Sequence, residues 1–266
     1  MKEILHFSHG NGFPASCYTT LFSYLENDFE IGTIDRLGHH ENYPVTDNWD
    51  HLIRQLIDEL ERAYSQPVFV VGHSLGGVLS MIVAAQRPDL VKGLIMLDAP
   101  YLTSFESIGL SWVKRLQLMD KFTPAGRTLG RKEVWSSVVE AEEYFRSKKL
   151  FQAFDPRCLK DYILNGTIDS GSGERALHFD AATEIEIYRT VPHNLSRLPK
   201  LAMPSAVIAG KDSDVFKKHH EKKMKRQLGM KVNWVEGGHM FPLEHPQETA
   251  ELIKQYLLQW QGELFK

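Results

Sequence analysis

Short apolar runs, separated by helix-like segments, constrain the fold of this chain more than any other feature. Most of these runs lack the alternation of apolar and polar residues, as is typical of strands buried on both faces of a sheet. The runs cover residues 4–8, 29–34, 68–71, 94–97, 206–209 and 232–235. Helix-like segments such as 49–64, 75–86 and 247–259 lie between or after them. The sequence therefore predicts an α/β fold with a mainly parallel sheet of about six strands flanked by helices.

The middle of the chain departs from this alternation. Residues 101–198 show helical patterns but no clear strand, and they are too many for a simple loop. We therefore predict that residues 1–100 form the first part of a core, residues 101–198 an inserted helical cap, and residues 199–266 the second part of the core. We refer to residues 101–198 as the cap segment. Its large side chains belong mostly to its own core, and those that are candidates for lining a pocket are Trp112, Leu116, Met119, Trp135, Tyr144 and Phe145.

The composition excludes several classes of protein. A formal net charge of -3 and a pI of ≈ 6.5 provide no basic surface for nucleic acid. Cys17 and Cys158 are far apart and match no metal or redox motif, which favours a reducing compartment. The chain has no HExxH, GxGxxG or P-loop pattern, so we expect no metal, dinucleotide or nucleotide cofactor.

We also expect no targeting or membrane segment. The first residues enter a strand pattern at once, without the long apolar core of a signal peptide. The apolar runs are too short to cross a bilayer. We expect a cytoplasmic protein whose partner is a small molecule rather than a nucleic acid or a membrane, and we leave a homodimer open.

A serine stands where one predicted strand meets the next helix. Residues 72–76, Gly-His-Ser-Leu-Gly, match the pattern G-x-S-x-G and lie between the apolar run 68–71 and the helical segment 75–86. Such a sharp turn raises a serine hydroxyl above the sheet, and the flanking glycines avoid clashes. Ser74 is therefore our candidate nucleophile.

A serine needs a base within hydrogen-bond reach to act at neutral pH. His239 follows the last predicted strand on two glycines, Gly237 and Gly238, which leave it free to reach back over the strand ends. No other histidine has a comparable position, so His239 is our candidate base.

These motifs together resemble the α/β-hydrolase fold superfamily. The resemblance rests on residues 9–12 (His-Gly-Asn-Gly), 35–39 (Asp-Arg-Leu-Gly-His), 72–77, 97–100 (Leu-Asp-Ala-Pro) and 237–239, which span the predicted core. It implies a serine hydrolase with the chain order nucleophile, acid, histidine. The chain lacks the two antiparallel strands that precede the His-Gly strand in larger members.

The resemblance leaves the acid open between two strand ends. In many members the acid follows the strand after the cap, which makes Asp212 our first choice and its neighbour Asp214 our third. In some small esterases it follows the strand before the cap, which makes Asp98 the competing candidate.

The resemblance also implies an oxyanion hole made of two backbone N–H groups. One belongs to Leu75, directly after the nucleophile, and the other to Asn11, directly after the His-Gly pair.

We therefore expect a serine hydrolase that cleaves carboxylic esters of small molecules through an acyl-enzyme on Ser74. A thioesterase or a carbon–carbon bond hydrolase would use the same groups, because the cap sets the pocket. A small-molecule receptor that retains the hydrolase site is the alternative from another class.

Overall fold

The computed structural model describes residues 2–171 and 173–264. Residues 1, 172, 265 and 266, which belong to the predicted core and cap segment, lie outside the described residues. Its strands are β1 (Glu3–Ser8), β2 (Phe29–Thr33), β3 (Val68–His73), β4 (Val91–Leu97), β5 (Val134–Trp135), β6 (Thr167–Gly171), β7 (Glu174–Leu177), β8 (Ser205–Gly210) and β9 (Lys231–Val235). Six of them form the central sheet in the order β2-β1-β3-β4-β8-β9, and every pairing is parallel. This confirms the predicted α/β fold.

The sheet is buried on both faces, as the apolar runs predicted. Successive residues of β3 serve opposite cores: Val68 and Val70 pack with α-helices on one face, while Phe69 and Val71 pack on the other. All six residues of β3 are buried. Since side chains alternate across a strand, a strand with apolar residues at every position needs a layer of helices on each side.

The helices supply these two layers and the cap segment. They are α1 (Thr19–Ser23), α2 (Asp50–Ala63), α3 (Leu75–Gln86), α4 (Ser104–Arg115), α5 (Met119–Phe122), α6 (Ala125–Thr128), α7 (Val138–Arg146), α8 (Pro156–Asn165), α9 (Ala181–Arg189), α10 (Lys218–Lys223), α11 (Phe241–Glu244) and α12 (Pro246–Leu264). Short 3-10 turns cover Ala15–Tyr18, Asp47–Trp49, Lys149–Phe151 and Leu195–Arg197, and a π-helical turn covers Met224–Leu228. Helices α2 and α3 pack on one face of the sheet, and α12 packs on the other. Within the described ranges, no helix is long and apolar enough to cross a membrane.

The cap segment differs from the sequence expectation in one respect. Besides α4–α9 it contains a small antiparallel sheet in the order β5-β7-β6. These strands are two to five residues long, and four of the five residues of β6 are exposed. Strands so short and so exposed carry no run of apolar residues, which is why the sequence pattern did not reveal them.

The parallel sheet determines where polar strand-end residues meet. Strands β1, β3, β4, β8 and β9 all end at the same edge, so the segments that follow them converge above the sheet. The residues that follow these strand ends include the site candidates, in chain order Asn11, Ser74, Asp98, Asp212 and His239.

Candidate active site

Ser74 lies in a strained turn between β3 and α3. Its backbone has φ 52 and ψ -114, a conformation that a non-glycine residue adopts at a cost of about 1–3 kcal/mol. The turn is tight because its neighbours are glycines. A Cβ on Gly72 would lie 2.3 Å from the carbonyl oxygen of Gly76, and one on Gly76 would lie 2.0 Å from the carbonyl oxygen of Ser8. The sequence pattern of the turn is therefore a steric requirement.

The structure brings Ser74, His239 and Asp98 into one hydrogen-bonded chain. The Nε2 atom of His239 lies 3.1 Å from Ser74 Oγ, and its Nδ1 atom lies 2.7 Å from Asp98 Oδ2. Since the carboxylate only accepts, Nδ1 of His239 carries a proton, and in the neutral ring Nε2 is left to accept the proton of the serine. This tautomer is the one that a general base requires.

Asp212 and Asp214 do not take part in this chain. Both side chains are exposed, and among the described residues no hydrogen bond joins either carboxylate to His239. Our first choice of Asp212 as the partner of the histidine therefore disagrees with the geometry, which places Asp98 there. The loop after β8 turns the Asp212 side chain to the surface, while its backbone N–H donates to the carbonyl of Gly237 (3.1 Å).

Asp98 is fully buried and is held by the neighbouring strand end. Its Oδ1 atom accepts the backbone N–H of Gly210 (3.0 Å), and its Oδ2 atom accepts the Ser213 hydroxyl as well as His239. Its φ of 40 is positive, as is that of Ser74, although neither residue is a glycine. These donors keep the buried carboxylate satisfied and fix its orientation.

Two backbone N–H groups expected in the oxyanion hole have no hydrogen-bond acceptor within residues 2–171 and 173–264. They belong to Leu75, the first residue of α3, and to Asn11, in the loop after β1. At a helix N-terminus the dipole favours negative charge, which suits Leu75 N–H to a developing oxyanion.

The imidazole of His9 orients the peptide that carries the Asn11 N–H. His9 Nε2 accepts from the N–H of Leu37 (2.8 Å), so Nδ1 carries the proton and donates to the carbonyl of Gly10 (2.8 Å). The Gly10 carbonyl also accepts from Phe13 N–H (3.1 Å). In a trans peptide the C=O and the following N–H point in opposite directions. The carbonyl therefore faces the protein, and the Asn11 N–H faces away from it.

Sequence reasoning assigned no role to His73 and Tyr18, which connect the two loops that flank Ser74. The Tyr18 hydroxyl accepts from Gly10 N–H (3.2 Å) and donates to His73 Nδ1 (2.7 Å), and His73 Nε2 donates to the carbonyl of His239 (3.0 Å). Burial, and then the neighbouring His239, lowers the pKa of His73 to about 3, so the ring stays neutral. The sequence feature that could have indicated this role is a histidine at the end of an otherwise apolar, buried strand.

A cavity of about 640 Å³ lies above these groups. Its floor is formed by core residues that include Asn11, Ser74 and His239, and its walls come from the cap segment between residues 124 and 188. Of the cap-segment side chains proposed as lining, Tyr144 and Phe145 border the cavity. Met119 and Trp135 are buried within the protein, whereas Trp112 in α4 and Leu116 directly after α4 are exposed.

Glu106, His219 and His220 bring metal-ligand side chains together on α4 and α10, away from this cavity. Nδ1 of His220 accepts from Lys217 N–H (3.2 Å), so Nε2 carries the proton and donates to Glu106 (3.2 Å). Partial burial raises the pKa of Glu106, but hydrogen bonds from Thr103, His219 and His220 outweigh it and lower this pKa to about 2. The cluster therefore joins the cap segment to the core by hydrogen bonds.

The fold and the strand-end residues define a class of protein, and comparison with known proteins identifies the family. The family model described as "Alpha/beta hydrolase family" matches residues 7–252. The chain belongs to the alpha/beta hydrolase family.

Individual relatives cover smaller parts of the chain. It is similar to a monoglyceride lipase of Mus musculus, with 30% identity over 138 residues, which is 49% of this chain and 45% of that protein. It is also similar to a type I acyl-CoA thioesterase of Penicillium brevicompactum, with 27% identity over 168 residues, 57% of this chain and 37% of that protein. The matches thus span less than half the length of these curated relatives.

Among solved structures, an esterase of M. tuberculosis superposes with a TM-score of 0.74. The match has 19% identity and covers 96% of this chain and 85% of that one. At this identity the likeness shows the fold alone.

Proposed function

We propose that this protein is a serine hydrolase that cleaves carboxylic esters of small molecules through an acyl-enzyme on Ser74. The observation that carries the proposal is the chain from Ser74 Oγ through His239 to the buried Asp98, at the floor of a cavity. These contacts supply a nucleophile, a base in the required tautomer and a carboxylate that orients the base.

The reaction has two halves. In the first, Ser74 Oγ attacks the ester carbonyl carbon while its proton passes to His239 Nε2. The resulting oxyanion accepts hydrogen bonds from the N–H groups of Leu75 and Asn11, each worth about 3–4 kcal/mol in the transition state. The bond to the alcohol oxygen then breaks, and the leaving alcohol takes the proton from His239.

In the second half, water replaces the alcohol. His239 takes a proton from a water molecule, which attacks the acyl carbon of the acyl-enzyme. When the second oxyanion collapses, the acid leaves and Ser74 regains its proton from His239. Asp98 stabilises the imidazolium that forms in each half and keeps its own charge throughout.

A thioester is a second substrate class that one observation favours. The relative from Penicillium brevicompactum carries the name of an acyl-CoA thioesterase, and the matched segment covers 57% of this chain. The lipase relative carries the name of an ester hydrolase. The same three side chains act on both bonds, since the attacked atom is a carbonyl carbon in each case.

Steady-state turnover tests the proposal. We expect the protein to hydrolyse 4-nitrophenyl butanoate over many cycles, and Ser74→Ala to lower kcat by a factor on the order of 10⁶. A parallel assay with S-butanoyl-N-acetylcysteamine compares the thioester with the ester.

Labelling with a fluorophosphonate separates the enzyme from a receptor. An enzyme reacts with the label at Ser74 and also turns over esters. Labelling of Ser74 without turnover of any ester or thioester would contradict the proposal and favour a receptor that retains the hydrolase site.

A further inference from the structure

The cavity above Ser74 is positively charged, although the chain as a whole is negative. Four cationic side chains line it, Arg127, Arg131, Lys148 and Lys149, against a single carboxylate, Glu184. The chain carries a formal net charge of -3. The excess of cations in the cavity is therefore local to this site.

Protein contacts neutralise only one of the four cations. Arg131 donates to the buried Glu184 at 2.6 Å. Among residues 2–171 and 173–264, no ion pair engages Arg127, Lys148 or Lys149. All three side chains are exposed, so they lie where the cavity meets solvent. We refer to these three residues as the cationic rim.

The cationic rim comes from two separate parts of the cap segment. Arg127 lies in α6, Lys148 directly precedes the 3-10 turn that follows α7, and Lys149 begins that turn. Lys148 Nζ lies 4.1 Å from the centre of the Tyr144 ring, which holds this ammonium beside the cavity. Cations from both parts therefore line the same cavity.

The inner wall of the cavity is apolar by contrast. Phe13, Phe145, Phe151 and Tyr162 line it and pack against one another with ring centres 4.7–6.1 Å apart. A ligand that fills the space between Ser74 and the cationic rim therefore meets aromatic rings first and cations last.

We propose that the natural substrate is an anionic ester or thioester, whose apolar part lies on the aromatic wall and whose carboxylate or phosphate group binds the cationic rim. This inference rests on the proposed function, because it assigns a substrate class to the same site. Arg127, Lys148 and Lys149 are then specificity residues that bind the anionic group of the substrate.

A pair of matched esters tests the charge. In 4-nitrophenyl hydrogen glutarate the acyl group ends in a carboxylate, and in 4-nitrophenyl 5-methylhexanoate an isopropyl group of similar shape replaces it. We expect kcat/KM to be at least about tenfold higher for the anionic ester, as for one charge-assisted contact. This preference should shrink as ionic strength rises from about 0.05 to about 0.5 M, since salt screens exposed charges.

A triple variant tests the residues. Replacing the cationic rim by Arg127→Gln, Lys148→Gln and Lys149→Gln should remove the preference and leave the neutral ester within about threefold. The matched control, Lys121→Gln, Lys160→Gln and Lys218→Gln, makes the same change in net charge at exposed positions that do not line the cavity. This control should keep the preference.

A second pair of substrates separates the two sources of the anion. Butanoyl-coenzyme A carries phosphate groups, and S-butanoyl-N-acetylcysteamine carries the same thioester without them. A preference for butanoyl-coenzyme A indicates that the cationic rim binds a phosphate group. A preference only for the glutarate ester over its neutral partner indicates that the rim binds a carboxylate. Equal turnover within both pairs, or equal loss for charged and neutral substrates in the triple variant, overturns the inference.

Calorimetry, which measures binding without turnover, distinguishes failure of the anionic-substrate proposal from failure of the proposed function. If turnover depends on Ser74 but is equal for charged and neutral substrates, the proposed hydrolase function is supported and the proposal of an anionic substrate is contradicted. Binding of the anionic ester to Ser74→Ala, lost in the triple variant, supports the rim even where the intact protein shows no turnover. Absence of both turnover and binding overturns the two proposals together.

Discussion

The strand ends after β4 and β8 lie side by side, and each is followed by an aspartate that the sequence made a candidate acid. Asp98 is fully buried and contacts His239, while Asp212 is exposed and has no hydrogen bond to it among the described residues. The second strand end nevertheless contributes to the site. Its Gly210 N–H and Ser213 hydroxyl both donate to Asp98.

This difference shows that one strand end supplies the carboxylate and its neighbour supplies the donors that hold it. A buried carboxylate without such donors would be costly to ionise. An exposed carboxylate such as that of Asp212 needs no hydrogen-bond donors from the protein, since water solvates it. The two loops are therefore complementary parts of one site.

Exchanging each of the three candidate carboxylates for an amide gives the largest expected difference in kcat. Asp98→Asn should lower kcat by about 10⁴, because an amide cannot stabilise the imidazolium and favours the wrong tautomer of His239. Asp212→Asn and Asp214→Asn should stay within about threefold, as surface substitutions do. Steady-state turnover of 4-nitrophenyl butanoate measures all three. A larger loss in Asp212→Asn than in Asp98→Asn would reverse the assignment.

A methyl group at the end of β8 should give the next largest effect. A Cβ on Gly210 would lie 2.3 Å from the carbonyl oxygen of Gly238 and 2.6 Å from that of Gly237, so Gly210→Ala pushes the His239 loop away. We expect a loss of about 10² in kcat, typical of a displacement near 1 Å. The free energy of unfolding should fall by about 1–3 kcal/mol.

Gly109→Ala is the matched control for that change. Gly109 lies inside α4, and a Cβ there has no atom within 4 Å. Alanine should leave turnover unchanged and raise the free energy of unfolding by up to about 1 kcal/mol, because it favours the helix. Urea unfolding and turnover of both variants check these expectations together.

Three buried histidines on or directly after the central strands also make the protein sensitive to acid. Burial lowers the pKa of His6 to about 4, that of His9 to about 4 and that of His73 to about 3. In the unfolded chain these rings titrate near 6.5, so below this pH the unfolded state binds more protons than the native state. Their contribution to stability is complete above pH 6.5 and decreases as the pH falls towards 4.

A single histidine variant tests this pH dependence. Each buried ring should add about 1.4 kcal/mol per pH unit to the loss between pH 6 and pH 4.5. His6→Gln should reduce the slope of unfolding free energy against pH by this amount, and His51→Gln, at an exposed position, should leave it unchanged. Urea titrations at several pH values measure the slope. Equal slopes for the protein and for His6→Gln would show that His6 titrates normally.

Ser213→Ala should give the smallest effect. It removes a hydroxyl that donates to Asp98 but leaves Gly210 N–H and His239 in place. We expect kcat to fall about fivefold with KM unchanged, since one of several donors to the carboxylate is lost. The pH profile of kcat should also shift, because the orientation of the base changes. A variant that alters only stability would limit Ser213 to a structural role.

The central sheet could be predicted from the sequence because its pattern is local. A strand such as β3, apolar at positions 68–71, must be buried on both faces wherever it lies. The turn at Ser74 was equally predictable, since its glycine pattern is local, although the atoms that exclude a Cβ at Gly76 belong to Ser8 and His9. The short strands β5–β7 were missed because too few of their residues are buried to leave a pattern.

The sequence by itself determined the α/β architecture and the positions of Ser74 and His239 at strand ends, because these depend on patterns within a few residues. Only the tertiary structure distinguishes Asp98 from Asp212, because it places the Asp98 carboxylate within hydrogen-bond distance of His239. Both follow apolar strands and both lie near glycine or proline, so local sequence treats them alike. Their difference arises from the loop after β8, which turns Asp212 outward and directs Gly210 N–H and the Ser213 hydroxyl towards Asp98. Residues more than a hundred positions apart in sequence set that direction, and only the folded chain brings them together.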